Sequence, residues 1–289
     1  MTGAPGTVSK ILWHFTGGPS WDNAQKCQKE QPKPANAAFR ALCAILESKT
    51  LRVGSYAEIV KIVIPKLRRF DEACRQIVVE TDVQRIVESV PVACLADIPI
   101  MHLGYHAQRY GKIAIGFHRD AAIRHGFNPV LYTLQHSRVI RSIYEGFGEM
   151  QFFDTDPIRE ALMELEAATM LSELPHADQT MRAIDRAISA INLEVVGLVT
   201  AAEATLNSLR RLLAFSKTFG ENEFGSIYCE REWRSTKNFA FALDDVAMVV
   251  VPRNSEGESY YAEFVGTRAE SLHLPRSIAV VAWEDLLEY

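Results

Sequence analysis

A long stretch almost without turn residues divides this chain and limits what it can fold into. After Asp156-Pro157, from Ile158 to about Phe219, the one clear turn signal is Pro175, and Ile184, Ile188, Ile191, Val195, Leu198, Leu206, Leu209 and Leu213 recur at helical spacing. A run this long with a 3.6-residue period predicts helices, so residues 156–219 are expected to form an inserted helical pair. Its apolar stripe reads as core packing or as the face of a homodimer in preference to a cofactor site.

On either side the pattern is that of short strands and short helices. Val8 to Phe15, Pro91 to Ala96, Lys112 to Phe117 and Pro129 to Thr133 read as strands before the insertion, and Phe239 to Leu243, Val246 to Val251 and Ser277 to Trp283 after it. Asn36 is placed to cap a helix over Ala37 to Ser48, residues 100 to 110 and Asp120 to His125 also read as helices, and a further helix is expected over about 256 to 271. From Gly54 to Arg69 the apolar run Ile59 to Ile64 suits helix and strand equally. The expected organisation is a single α+β domain over residues 1–289 that carries the helical insertion.

Composition fits a chain that can bury a core, with 289 residues, 48% hydrophobic and 23% charged. A net charge of -5 gives no global basic field, although Lys66-Leu67-Arg68-Arg69 and Arg210-Arg211 are local basic spots, so a nucleic-acid partner is neither indicated nor excluded. The five cysteines are odd in number and scattered, without a C-x-x-C pair, which argues for reduced thiols over disulfides or structural zinc. The longest apolar runs fall far short of the roughly 18 residues that cross a bilayer, and no apolar signal region opens the chain. The expectation is a cytoplasmic protein with no membrane partner.

The stretch with the most chemistry in it is Tyr228-Cys229-Glu230-Arg231-Glu232-Trp233-Arg234-Ser235-Thr236. If the whole run is extended, Glu230, Glu232 and Arg234 share one face, where like charges repel unless something uses them. The plain alternative is an edge strand with surface ion pairs of little energetic weight. His102 and His106 have the four-residue spacing of a helical metal pair, but they lack the zinc-protease glutamate and a third ligand, so packing or hydrogen bonding is the better reading and no metal is predicted. There is no G-x-S-x-G, P-loop or dinucleotide glycine fingerprint.

What remains is an early His14-Phe15-Thr16-Gly17 and the late Glu230-x-Glu232, which can form one site for NAD as substrate. Breaking the bond between nicotinamide and ribose develops an oxocarbenium-like cation that a fixed carboxylate stabilises. Glu232 would hold the ribose and stabilise the cation, Glu230 would orient the acceptor, and His14 and Thr16 would hydrogen-bond the adenine-side ribose. Gly17 would let the backbone approach the nicotinamide amide, and Tyr56 or Tyr110 would stack on the leaving ring. Each of these also has a plain reading: His14 as a satisfied strand-end histidine, and the tyrosines as half-buried aromatics.

With these residues in view, the chain resembles the bacterial abortive-infection AbiGi-type proteins, a phage-defence family. The matching words are Trp13-His14-Phe15-Thr16, Tyr56 with Glu58, Cys94-Leu95-Ala96-Asp97-Ile98-Pro99, His106 with Tyr110-Gly111, Ile115-Gly116-Phe117, Asn128-Pro129-Val130-Leu131-Tyr132 and Glu230-Arg231-Glu232-Trp233-Arg234. It is also remotely similar to ADP-ribosyltransferase folds, including the nucleic-acid-modifying DarT enzymes, through His14, Thr16 and Glu232. That second resemblance implies an ADP-ribosyltransferase-like split β-sheet core and an NAD-dependent ADP-ribosyltransferase or NAD glycohydrolase with a nucleic-acid or protein acceptor. The Cys94 to Pro99 segment lacks the Arg-Ser-Pro of DarT enzymes, and Arg109 beside Tyr110 is the substitute for the missing arginine. AbiGi-type proteins are also described as the antitoxin of a two-protein system, which implies a cognate toxin as partner and needs no catalysis.

Overall fold

One mixed sheet of seven strands organises the first part of the structure: β1 (Ile11–Phe15), β7 (Ala93–Ala96), β8 (Ala114–His118), β9 (Asn128–Pro129), β12 (Glu232–Ser235), β14 (Val246–Val251) and β15 (Ala279–Ala282). Their spatial order is β15-β14-β8-β1-β7-β12-β9. All neighbours are antiparallel except β14 and β15, which are parallel and therefore need a crossover. That crossover holds the helical turns Tyr260–Glu263, Phe264–Arg268 and Ala269–Ser271, inside the helix expected over 256 to 271. Four two-stranded pairs complete the strands: β2 (Trp21–Asp22) with β3 (Cys27–Gln28), β4 (Thr50–Leu51) with β13 (Phe239–Ala240), β5 (Ile59–Asp71) with β6 (Gln76–Glu88), and β10 (Leu131–Leu134) with β11 (Ser216–Phe219). The computed structural model describes residues 9–22, 27–29, 31–54, 59–71, 74–134, 137–151, 179–220, 222 and 228–286.

The chain divides into two compact units, one of residues 1–60, 88–135 and 213–289, the other of residues 61–87 and 136–212. In the first unit both faces of the sheet are covered, and successive residues of a strand enter different cores. Leu12 joins Leu95, Ile115, Phe117 and Val249 in the larger core, whereas Trp13 and Phe15 join Ala96, Ala114, Val250 and Trp283 in the smaller one. This explains the unbroken apolar run Val246 to Val251: with both faces buried, no position of that strand favours a polar residue.

The larger core is roofed by helix α1 (Ala35–Ser48), which buries Ala38, Phe39, Leu42 and Leu46 along one side. Its N-cap is Pro34, not Asn36, because the fixed φ of proline (here -53°) leads directly into the helix. The smaller core is closed by α2 (Leu103–Tyr110), and α3 (Arg119–Arg124) follows β8 and ends before Gly126, whose φ is +81°.

In the second unit β5 and β6 form a long hairpin, settling the helix-or-strand ambiguity of Ile59 to Ile64 as strand. Helix α4 (Arg138–Gln151) buries Ile140, Tyr144 and Phe147 at i, i+4 and i+7, and Gly148 lets it approach Ile64 of the hairpin. Helix α5 (Gln179–Ala214) runs 36 residues through the stretch expected to be helical. That stretch stops short of its expected end, because Ser216–Phe219 is strand β11, paired in parallel with β10. Residues 152–178 lie outside the described residues.

Gly116 sits on β8 opposite Trp13, and a methyl group there would lie 2.6 Å from Ile11 Cγ2 and 2.9 Å from Trp13 Cζ3. Gly116→Ala is therefore expected to destabilise the protein by roughly 1–3 kcal/mol through overpacking, read as a lowered midpoint in urea unfolding.

Candidate functional site

The extended run expected from Tyr228 onward starts later than its sequence implied. Tyr228–Glu230 is a turn of 3-10 helix, Arg231 takes a left-handed φ of +43°, and the strand begins only at Glu232. Glu230 and Glu232 still come together, brought there by the turn and not by pleat alternation. Both converge on Lys217 of β11: its Nζ donates to Glu230 Oε2 in a short contact and lies 3.4 Å from Glu232 Oε2. Arg234, two residues along β12, donates from Nη2 to Glu232 Oε2 at 2.8 Å and from Nη1 to the Ala214 carbonyl at 2.6 Å. On the other oxygen of Glu230, Tyr110 donates its hydroxyl at 3.0 Å and Arg109 lies at 3.5 Å, both from α2.

These charges are withdrawn from water. The Arg234 side chain is 2% exposed, Glu230 8% and Glu232 14%, so each charge depends on its partners. Burial alone would raise the pKa of Glu232, but the Lys217 and Arg234 charges, with hydrogen bonds from Arg234 and Cys94, outweigh it and hold the group at about 2. Beneath Glu230, His106 stacks on Tyr110 at 5.3 Å and packs 5.7 Å from Phe15. Burial brings His106 down to about 4, so it is a neutral, packed ring, and burial raises the Tyr110 hydroxyl. Behind β12, Tyr132 of β10 accepts a hydrogen bond from the Glu232 N–H at 2.7 Å.

The structure thus gathers Phe15, Arg109, Tyr110, Glu230 and Glu232 on one side of the sheet. It does not bring His14 to them. In the register, Trp13, Ala96 and Glu232 stand in one cross-strand row and so project to one face, whereas His14 falls on the face of Leu12 and Leu95. The expectation that His14 and Glu232 line one cleft is corrected on this ground: His14 donates from Nδ1 to the Cys94 carbonyl, 3.1 Å away, and burial lowers its pKa. Thr16 is buried and turns its hydroxyl to the Ile113 carbonyl. Gly17 is required by the chain itself, since a Cβ there would stand 2.6 Å from the Tyr110 carbonyl oxygen. Tyr56 and Glu58 lie outside the described residues.

His102 is exposed and His106 buried, and among the described residues no group of three His, Cys, Asp or Glu side chains could hold a metal ion. Lys217, Tyr132 and Arg234 of the cluster are not among the expected site residues. Lys217 was hidden inside the helical stretch, and Tyr132 carried no signal beyond its place in a resemblance word. Arg234 was legible as sharing a face with Glu232. No described helix is long and apolar enough to cross a membrane.

Comparison with known proteins bears on the sequence words that build this cluster. A family described as abortive phage resistance protein AbiGi, antitoxin, matches residues 66–284, well over half of the chain. The chain belongs to the AbiGi family. Its similarity to a curated member, abortive phage resistance protein AbiGi of Lactococcus lactis subsp. cremoris, is 36% identity over 53 residues, spanning 17% of this chain and 21% of that protein. No solved structure matches. The AbiGi match covers Arg109, Tyr110, Lys217, Glu230, Glu232 and Arg234, while His14 to Gly17 lie before it.

Removing one partner from this network should expose its cost. Lys217→Met is expected to lower stability by roughly 3–5 kcal/mol in urea unfolding, because two buried carboxylates lose a shared cation. Glu232 has an ordinary pKa of 4.5 and about 2 in the fold, so its contribution is complete above pH 4.5 and lost as pH falls toward 2. The loss amounts to about 3 kcal/mol, and Glu232→Gln should flatten the stability profile in that window. His106, lowered from 6.5 to about 4, slopes the same way at higher pH: stability falls as pH drops through that range.

Proposed function

We propose that this AbiGi protein acts as the non-catalytic antitoxin of a two-protein abortive-infection system in the cytoplasm, neutralising a cognate toxin by binding it. The observation that carries this reading is the double pairing of Glu232 with Lys217 and Arg234. A carboxylate that is to stabilise a ribosyl cation must direct its charge at the ligand, and here two protein cations already compensate it. The position of His14 on the other face of the sheet supports the same conclusion. So does the family description as an antitoxin.

The competing reading is an NAD-dependent ADP-ribosyltransferase or NAD glycohydrolase on an ADP-ribosyltransferase-like fold, modifying a nucleic acid or a protein. It is favoured by the convergence of Arg109, Tyr110, Glu230 and Glu232 on one face. Under either reading α5 remains the proposed homodimer face.

The two readings separate in one set of measurements. Co-expression with a candidate toxin encoded by an adjacent gene should relieve that toxin's growth arrest and yield a stable complex on size-exclusion chromatography, and His14→Ala should neutralise as well as the parent chain. NAD at millimolar concentration should produce neither a rise in melting temperature nor release of nicotinamide. Nicotinamide release that disappears in Glu232→Gln, with the circular dichroism spectrum unchanged, would replace the antitoxin reading with the enzymatic one.

A further inference from the structure

We propose that the exposed side of α2, together with the cleft at the start of β12, is the surface on which the toxin docks, and that the toxin presents there an acidic segment anchored by an aromatic side chain. The inference rests on the antitoxin reading and adds the place and the chemistry of the contact.

A surface helix normally turns charged residues to the solvent, and α2 turns few. Its inner side is ordinary, with Leu103 and His106 buried. Its outer side begins in the 3-10 turn Ile100–His102, which leads directly into the helix, and continues through Met101, Tyr105 and Arg109 at four-residue spacing. Met101 is 75% exposed and Tyr105 53%. Large apolar side chains exposed singly are normal on any protein, whereas a row of them marks a surface that a partner covers. Met, Tyr and Arg are also residue types enriched at the centre of protein interfaces.

Two ion pairs lay this row against the turn before β12. Arg109 meets Glu230, and Arg231 meets Asp97, so half-exposed Tyr228, in the same turn as Glu230, extends the aromatic surface. Tyr228 also lines a cleft of about 280 Å³ with Val130, Tyr132, Arg231 and Trp233. Pockets for drug-sized ligands run from about 300 to 1,000 Å³, so this cleft suits a single large side chain. Aromatic anchors seated in such pockets carry much of the energy of an interface.

Charge sets the sign of the partner. In both ion pairs the acid is buried and the cation is not: Arg109 is 51% exposed against 8% for Glu230, and Arg231 38% against 8% for Asp97. The solvent side of each pair is therefore positive. From Ile98 to Arg119 the chain contains no Asp or Glu, although acids outnumber Lys and Arg by 36 to 31 over its whole length. A carboxylate-rich segment complements that surface, and a basic one is repelled by it. A nucleic-acid strand would need a broad basic field, which a net charge of -5 does not provide.

Calorimetric titration of the full chain with a candidate toxin encoded by an adjacent gene tests the idea. Met101→Glu and Met101→Lys change one highly exposed position in opposite directions of charge, so a folding defect does not separate them. Met101→Glu should bind roughly tenfold weaker than Met101→Lys at low ionic strength, and the gap should narrow at high salt. Tyr105→Ala and Tyr228→Ala should each weaken the complex roughly tenfold, while Ile123→Ala, at an exposed position of α3, should leave it unchanged. With a complex formed, equal affinities of the two Met101 variants, full affinity in either tyrosine variant, or equal weakening in Ile123→Ala would overturn the docking surface and leave the antitoxin reading standing. Failure of every candidate toxin to bind the parent chain would remove the antitoxin reading and this inference with it. An oligonucleotide that binds tighter than the toxin, and loses affinity in Tyr105→Ala, would put a nucleic acid in the partner's place and overturn the proposal.

Discussion

Two glutamates, a lysine and an arginine, nearly all withdrawn from water, meet where β11, β12 and the end of α2 converge. Unpaired, any one of them would cost several kcal/mol of stability, so each of the three elements has to deliver its charge to the same place. Lys217 reaches Glu230 and Glu232 only because β11 pairs with β10 and turns the lysine toward β12. Arg234 also ties β12 to the end of the long helix through the Ala214 carbonyl. The network therefore fixes the chain where the helical stretch returns to strand.

Pleat parity governs what this cluster can do. A strand buried on both faces sends alternate side chains into different cores, and the register between neighbours decides which residues meet. Trp13, Ala96 and Glu232 occupy one row, so the His-x-Thr motif, one step out of phase, faces away. A site that needed His14 and Glu232 together would require β1 to shift by one residue. That shift would move Trp13 and Phe15 out of the smaller core, where they pack with Ile98, Leu103, Val250 and Trp283.

The sequence was informative where local pattern and tertiary demand agree. The strand ending at Phe15, the α1 helix, the Val246 to Val251 strand and the long helix were all readable from periodicity and punctuation. The β5–β6 hairpin was not, because an apolar run that ends in proline and arginines has no period to distinguish its two readings. β11 was missed because Lys217, Thr218 and Phe219 directly follow a helix whose periodic stripe runs up to them. At the site, Arg109, Tyr110 and Glu230 are each singled out by the sequence, but their contacts with one another are not legible there, because they depend on how α2 meets the turn before β12. The separation of His14 from Glu232 was not legible either, since alternation within one strand says nothing about its register against the next.

The parallel pairing of β10 with β11 has a topological consequence. Two parallel neighbours cannot be joined by a tight turn, because the chain must travel back the length of the ladder before it can re-enter beside its own departure point. Some bridging excursion is therefore obligatory between Leu134 and Ser216, and its minimum is only about a dozen residues. The excursion present far exceeds that minimum, and the surplus length is what gives room for α4 and α5 between the two partners of the ladder.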